Sequence, residues 1–172
     1  GAWYSSTDAD DSFFDVNRQP QVGTDAEPLR RSGRYGGWIN LEQQVTGTAH
    51  DGHALSGMTL FLNLTRADRR TSFLDNQIVV GAFFNGLFSS RPKDVLGIAF
   101  ARTHVNTRAA DAQRLSGDEP IQLSEYASEL FYEVHTASWL TLRPNLQYLH
   151  DPGGRRVDHD AIVIGLKSTI EF

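Results

Sequence analysis

Over residues 162–172 the large apolar side chains fall on even positions: Ile162, Ile164, Leu166, Ile170 and Phe172. The odd positions end in Gly165, Lys167, Thr169 and Glu171. Successive side chains of a β-strand point to opposite faces, so this pattern makes a strand with one apolar and one polar face. About ten such residues, tilted, reach across the hydrocarbon layer of a bilayer. A strand of a soluble sandwich carries the same alternation, and the rest of the chain has to decide between the two.

The 172 residues suffice for one domain. No stretch approaches the about eighteen apolar residues of a membrane helix, and mean hydropathy is −0.38, which excludes a spanning helix. A barrel is not excluded, because only every second residue of its strands faces lipid. The net charge is −5 and no basic stripe is visible, which argues against a nucleic-acid partner. With no cysteine there are neither disulfides nor thiolate metal sites. Gly1-Ala2-Trp3-Tyr4 offers no initiator Met, basic n-region or apolar h-region, as expected of a processed chain or of one cut within a strand.

Apolar residues at helical spacing are scarce, and strand patterns recur. Ile39, Leu41 and Val45 alternate with Trp38, Asn40, Glu42 and Gln44. Leu60, Leu62 and Leu64 oppose Thr59, Phe61, Asn63 and Thr65, whereas residues 75–84 are apolar on both faces. Leu96, Ile98 and Phe100 oppose Gly97, Ala99 and Ala101. Tyr126, Leu130, Tyr132 and Val134 oppose Glu125, Glu129, Phe131, Glu133 and His135. Leu140, Leu142, Leu146 and Tyr148 oppose Thr141, Arg143, Asn145 and Gln147. Counting the N-terminal stub, roughly eight strands follow as hairpins, which predicts an all-β, antiparallel up-and-down transmembrane β-barrel.

Placing Phe172 at the turn end puts turns at 47–56, 87–93 and 136–138 and loops at 7–33, 67–74, 106–121 and 151–158. Long polar loops at one end and shorter turns at the other are the asymmetry of an outer-membrane barrel, although the turn at 47–56 is longer than expected. Trp3, Tyr4, Tyr35, Trp38, Trp139, Tyr148 and Phe172 lie near strand ends, where an aromatic girdle would meet lipid headgroups. Aromatic caps on a soluble sandwich fit them equally well.

With the apolar face outward, the inward face of the last three strands carries Glu125, Glu129, Glu133, Arg143, Asn145, Gln147, Lys167 and Glu171. In water this is an ordinary solvated surface; beside a lipid-facing stripe it becomes the wall of an aqueous channel. A neutral polyhydroxylated solute calls for donors and acceptors in balance, with aromatic faces for its C–H side. Phe131 adds an aromatic face to that wall, and Trp38, Glu42 and Phe61 extend it into earlier strands. A general-diffusion pore fits the same residues.

Three segments resemble the OprB family of carbohydrate-selective porins from Gram-negative outer membranes. The first is Phe84-Asn85-Gly86-Leu87-Phe88-Ser89-Ser90-Arg91-Pro92-Lys93-Asp94-Val95-Leu96-Gly97-Ile98-Ala99, which is similar to a hairpin of that family. The second runs from Glu129 through Trp139 to Pro144-Asn145-Leu146-Gln147-Tyr148, followed by Asp151-Pro152-Gly153-Gly154. The third is the last strand, whose Leu166, Ile170 and Phe172 resemble the signal read by the outer-membrane assembly machinery. Ser138 departs from the family's frequent Pro, and loops 7–33 and 106–121 match nothing recognisable.

The resemblance implies a sixteen-stranded barrel of which residues 1–172 supply the C-terminal portion, a single domain. Its partners would be outer-membrane lipid and carbohydrate substrates, and it would need neither cofactor nor metal. An open half-barrel would leave two unpaired edges in lipid, so the chain reads as half of a longer porin. Two copies closing one barrel, a homo-oligomer, is the second reading.

Other classes remain open at this level. A barrel enzyme would need a nucleophile, base and acid to converge, and no Gly-x-Ser-x-Gly elbow is present. His50-Asp51-Gly52-His53, or His150-Asp151 with His159-Asp160, could chelate a metal but lie in turns, where such residues are usually solvated. An autotransporter barrel would share the terminal Phe but not the Gln-Tyr and Pro-Gly-Gly block. A soluble sandwich would place the even-numbered stripes in a core between two sheets.

Overall fold

The computed structural model describes residues 1–51, 53–156 and 159–171. In chain order the elements are β1 (Ala2–Ser5), β2 (Ala9–Asp15), β3 (Pro28–Arg31), β4 (Arg34–Gln44), β5 (Ala49–His50), β6 (His53–Ala54) and β7 (Gly57–Ala67). They continue with β8 (Leu74–Asn85), β9 (Val95–Val105), α1 (Thr107–Ser116), β10 (Ser124–Ala137), β11 (Leu140–His150) and β12 (Ala161–Ile170). One eight-stranded sheet runs β1-β4-β7-β8-β9-β10-β11-β12, with every pair antiparallel. From β4 onward each main strand returns beside the one before it, an up-and-down meander. Strands of 10 to 14 residues are long enough to cross a bilayer at a tilt.

Register fixes the faces, because directly opposed residues share a side. Leu60, Ala82, Ile98, Leu130, Leu146 and Ile164 form one apolar row across six strands. Leu41, Leu62, Val80, Phe100, Ser128, Tyr148 and Ile162 form the next. This assigns the ambiguous β8: Ile78, Val80, Ala82 and Phe84 take the apolar face, and Gln77, Val79, Gly81 and Phe83 the other. Among the described residues no second sheet covers the apolar face; Ile162, Ile164 and Leu166 are 71%, 82% and 68% exposed. The buried apolar side chains among the described residues are Ala82, Val105, Ala109, Ala110 and Phe131, too few for a core between two sheets. The sandwich reading is thereby excluded.

Three connections hold more structure than expected. Loop 7–33 contains the β2–β3 hairpin. The overlong turn 47–56 contains the small β5–β6 hairpin, which accounts for its length. Loop 106–121 contains α1, which begins at Asn106, whose side chain accepts from the Arg108 N–H, and ends at Gly117 in the left-handed conformation. Helical periodicity does not reveal it, because only Ala109 and Ala110 are buried and no broad apolar stripe exists.

The expected girdle is corrected in part. Tyr4, Tyr35 and Tyr148 lie on the apolar face. Trp3 lies over Gly36 on the opposite face, and Trp38 opposes Thr65 there. Parity, not proximity to a strand end, decides the side. Phe172, named both for the girdle and for the assembly signal, lies outside the described residues, as do Gly52 and the last two residues of loop 151–158. Leu166 and Ile170 of that signal sit on β12 with exposed side chains.

Candidate functional site

The polar face is built in rows. Glu42, Phe61, Gly81, Ala99, Glu129, Gln147 and Val163 form one. Gln44, Thr59, Phe83, Gly97, Phe131, Asn145 and Gly165 form the next. Beyond it Asn85 and Val95 oppose one another, Val95 opposes Glu133, and Arg143 opposes Lys167. Toward the loops, Trp38, Thr65, Gln77, Thr103 and Glu125 make a fourth row. Trp38, Glu42, Phe61, Glu125, Glu129, Glu133, Arg143, Asn145, Gln147 and Lys167, all expected to line a path, therefore share one face.

The glycines of this face are there to be covered. A Cβ on Gly81 would stand 2.4 Å from the Phe61 ring, and one on Gly97 would stand 2.1 Å from the Phe131 ring. Each ring occupies the space a side chain would need on the neighbouring strand. Phe61 stacks on Phe83 at 4.8 Å between centroids and 15° between planes, and Phe83 meets Phe131 at 6.1 Å. The Arg143 guanidinium carbon sits 3.4 Å from the Phe131 centroid. Phe131 is consequently 5% exposed. It serves as a pedestal for Arg143 and offers no stacking face of its own, contrary to the sequence expectation.

Carboxylates complete the arrangement. Asn145 Nδ2 donates to Glu129 Oε1 at 2.9 Å, and Arg143 Nη2 stands 3.7 Å from the same oxygen. A cleft of about 320 Å³ is lined by Glu42, Ala54, Thr59, Phe83, Asn85, Val95, Phe131, Glu133 and Arg143. Two buried polar atoms there, Thr59 Oγ1 and Arg143 Nε, have no hydrogen-bond partner among the described residues. Buried polar groups are nearly always paired, by protein or by water, so both atoms are open to a partner that enters the cleft. Thr59, Phe83, Asn85 and Val95 were not legible as site residues, since membership depends on the register between strands. Glu125 is diverted: its Oε2 accepts from the Gly153 N–H at 2.7 Å, holding the loop after β11. Trp38 stands apart at the loop end, and Gln147 and Lys167 flank the cleft without lining it.

The loop end is tied down by a second, buried polar cluster. Asp11 Oδ2 receives Arg31 at 2.6 Å and Arg108 at 3.4 Å, while its Oδ1 accepts from the N–H groups of Phe13 and Phe14. Asn106 is 0% exposed; its side chain donates to the carbonyls of Arg69 and Ser72 and accepts from the Arg108 N–H. Burial pushes the Asp68 carboxyl upward, but hydrogen bonds from the Arg70 guanidinium and backbone outweigh it and hold the group below the usual carboxylate range. Among the described residues no three His, Asp or Glu side chains converge as a metal site.

An antiparallel meander with an uncovered apolar face, a polar face lined by charged residues and rings, and the two outermost strands β1 and β12 paired on one side only is a section of an up-and-down barrel wall. The chain belongs to the OprB family of carbohydrate-selective porins, whose sequence profile matches residues 1–172. It is 41% identical to Porin B of Pseudomonas aeruginosa, covering 100% of this chain and 40% of that protein. It is 31% identical to the putative porin QuiX of Acinetobacter baylyi, covering 100% of this chain and 39% of that one. The high-pH structure of Pseudomonas putida OprB superimposes with a TM-score of 0.91 at 39% identity, covering 99% of this chain and 43% of that one. For the low-pH structure of the same protein the TM-score is 0.57 at 37% identity, over 81% of this chain and 39% of that one. The chain thus spans about two fifths of the length of these relatives.

Proposed function

We propose that the chain is the C-terminal portion of one outer-membrane β-barrel and forms part of the wall of a channel that passes carbohydrates by passive, selective diffusion. The observation that carries this reading is the cleft on the polar face, where Arg143, Glu42, Glu133 and Thr59 surround a space of about 320 Å³. Both charge signs meet there, and hydroxyl-rich neutral solutes need donors and acceptors together. Arg143 on Phe131, steadied by Glu129 and Asn145, presents a fixed guanidinium to such a solute. Trp38, Phe61, Gln147 and Lys167 line the same path above and beside the cleft. Family membership supports a channel rather than an enzyme.

The edges support a larger barrel. β1 and β12 each leave one row of N–H and C=O groups unpaired in the sheet, which lipid would penalise heavily. The remaining strands of a longer chain, folded by the outer-membrane assembly machinery of a Gram-negative cell, would close it.

The test is liposome swelling with the product of the complete reading frame, in isosmotic glucose, a disaccharide and a zwitterion matched in size to glucose. Glucose is expected to enter faster than both. Equal entry of glucose and zwitterion would reduce the protein to a general-diffusion porin, and no swelling from an inserted barrel would remove the channel reading.

A further inference from the structure

The apolar face ends, on the loop side, in arginines. The row Ile39, Leu64, Ile78, Arg102, Tyr126 and His150 is followed by Gly37, Arg66, Asn76, His104 and Ser124. Arg102 thus stands between Ile78 and Tyr126, directly above the Val80–Phe100 row, and Arg66 stands above Leu64. Arginine in this protein is usually neutralised: nine of its fourteen lie within 4 Å of a carboxylate. Arg66 and Arg102 make no such pair among the described residues. The carboxylates at this corner are already engaged, Asp68 by Arg70 and Asp75 by Arg69 with His104. At the turn end Arg91 is held by Asp94.

From two strand spacings and one two-residue step, the Arg66 and Arg102 backbones are roughly 12 Å apart. A cleft of about 990 Å³ opens at this corner, and its lining includes Tyr35, Ile39, Leu64, Arg66, Ile78 and His104. It also reaches Trp38 of the inward face, beside Gly36 and Gly37. Arg66 lines this cleft beside the Asp68–Arg70 and Asp75–Arg69 pairs, and Arg102 adjoins it outside the lining, opposite Ile78. Apolar walls with one guanidinium in the cleft and a second at its margin suit a molecule with acyl chains and a phosphorylated head, since guanidinium binds phosphate through paired, charge-assisted hydrogen bonds.

We infer that the loop-side corner of the outward face is a binding site for a phosphorylated anionic lipid, with Arg66 and Arg102 on its headgroup and Ile39, Leu64 and Ile78 along its chains. The inference rests on the outward face meeting lipid, as proposed above, but not on which solute the channel passes.

The test uses the complete protein in detergent, titrated with dioleoylphosphatidic acid and, separately, dioleoylphosphatidylcholine, with bound lipid counted by native mass spectrometry. Phosphatidic acid is expected to bind about tenfold more tightly than phosphatidylcholine, and the double variant R66Q/R102Q to lose that preference. R66K/R102K should retain most of it, and R114Q, which removes one charge from the exposed helix, should leave it intact. Heat-modifiable migration in gels confirms that each variant is folded; should R66Q/R102Q fail to fold, R66K/R102K and the wild-type lipid preference still decide. Equal affinity for the two lipids, or equal loss in R114Q, overturns the site. So does full competition by inorganic phosphate, because a free-anion site needs no chains. Glucose swelling of the same variants separates the two readings: loss of sugar preference in the wild type sinks the carbohydrate channel and leaves the lipid site standing.

Discussion

The wall and the loop cluster satisfy their backbone polar groups by opposite means. In the wall, strands β4 and β7 to β12 pair N–H and C=O in continuous ladders, and side chains are left free to differ between the faces. In the loop cluster, buried side chains do the pairing: Asp11, Asp15, Asp68 and Asn106 each accept from neighbouring backbone N–H groups. A ladder needs only extended backbone and tolerates many sequences. A side-chain cap requires one residue at one position. The wall is therefore robust inside each row and sensitive to polarity, whereas the cluster is sensitive to single atoms.

Substitutions can break that contrast. The largest effect is expected for Leu130→Arg, at the centre of the apolar face between Ile98 and Leu146. It should destabilise the barrel by roughly 2–4 kcal/mol and impair insertion, measured by heat-modifiable migration after refolding into vesicles. Normal insertion would mean that the faces are assigned the wrong way round. Next is Asn106→Ala, which orphans two carbonyls, uncaps α1 and should cost about 2 kcal/mol. The loss should appear as faster proteolytic nicking of 67–74 while barrel migration is unchanged. If barrel and loops fail together, they are one cooperative unit and the contrast is void.

Smaller effects sharpen it. Arg143→Ala should change glucose-over-zwitterion selectivity while altering stability by less than about 1 kcal/mol, because its Glu129 partner is part-exposed. An unchanged swelling ratio with reduced stability would make Arg143 a structural residue. Asp68 gives the mildest and most conditional effect. Its folded pKa lies below the unfolded value of about 3.9, so its stabilisation is present above that pH and fades as pH falls through the folded value. The melting difference between wild type and Asp68→Asn should thus be full at pH 6 and shrink at pH 3; a difference that grows on acidification contradicts the pairing.

Legibility in the sequence followed the same divide. Period-two alternation in 162–172, 140–148 and 58–65 was enough to place strands and faces, since parity along a strand is a property of the chain alone. Residues 75–84, apolar on both sides, stayed ambiguous until pairing with β7 and β9 oriented them. Phe131 was readable as inward but not as a pedestal, which depends on Gly97 of one neighbour and Arg143 of the other. Helix α1 carried its signal in Asn106 and Gly117, caps that a search for apolar periodicity passes over.

What the sequence determined by itself was the meander, its two faces and which residues share the polar one, because local alternation and short connections dictate them. Only the tertiary structure decided which residues meet: the register that joins Thr59, Glu133 and Arg143 in one cleft, the diversion of Glu125 to Gly153, and the burial of Asn106 against the Arg69 and Ser72 carbonyls. Contacts between strands depend on stagger and on side-chain rotamers, and neither is encoded in the spacing of residues along one strand.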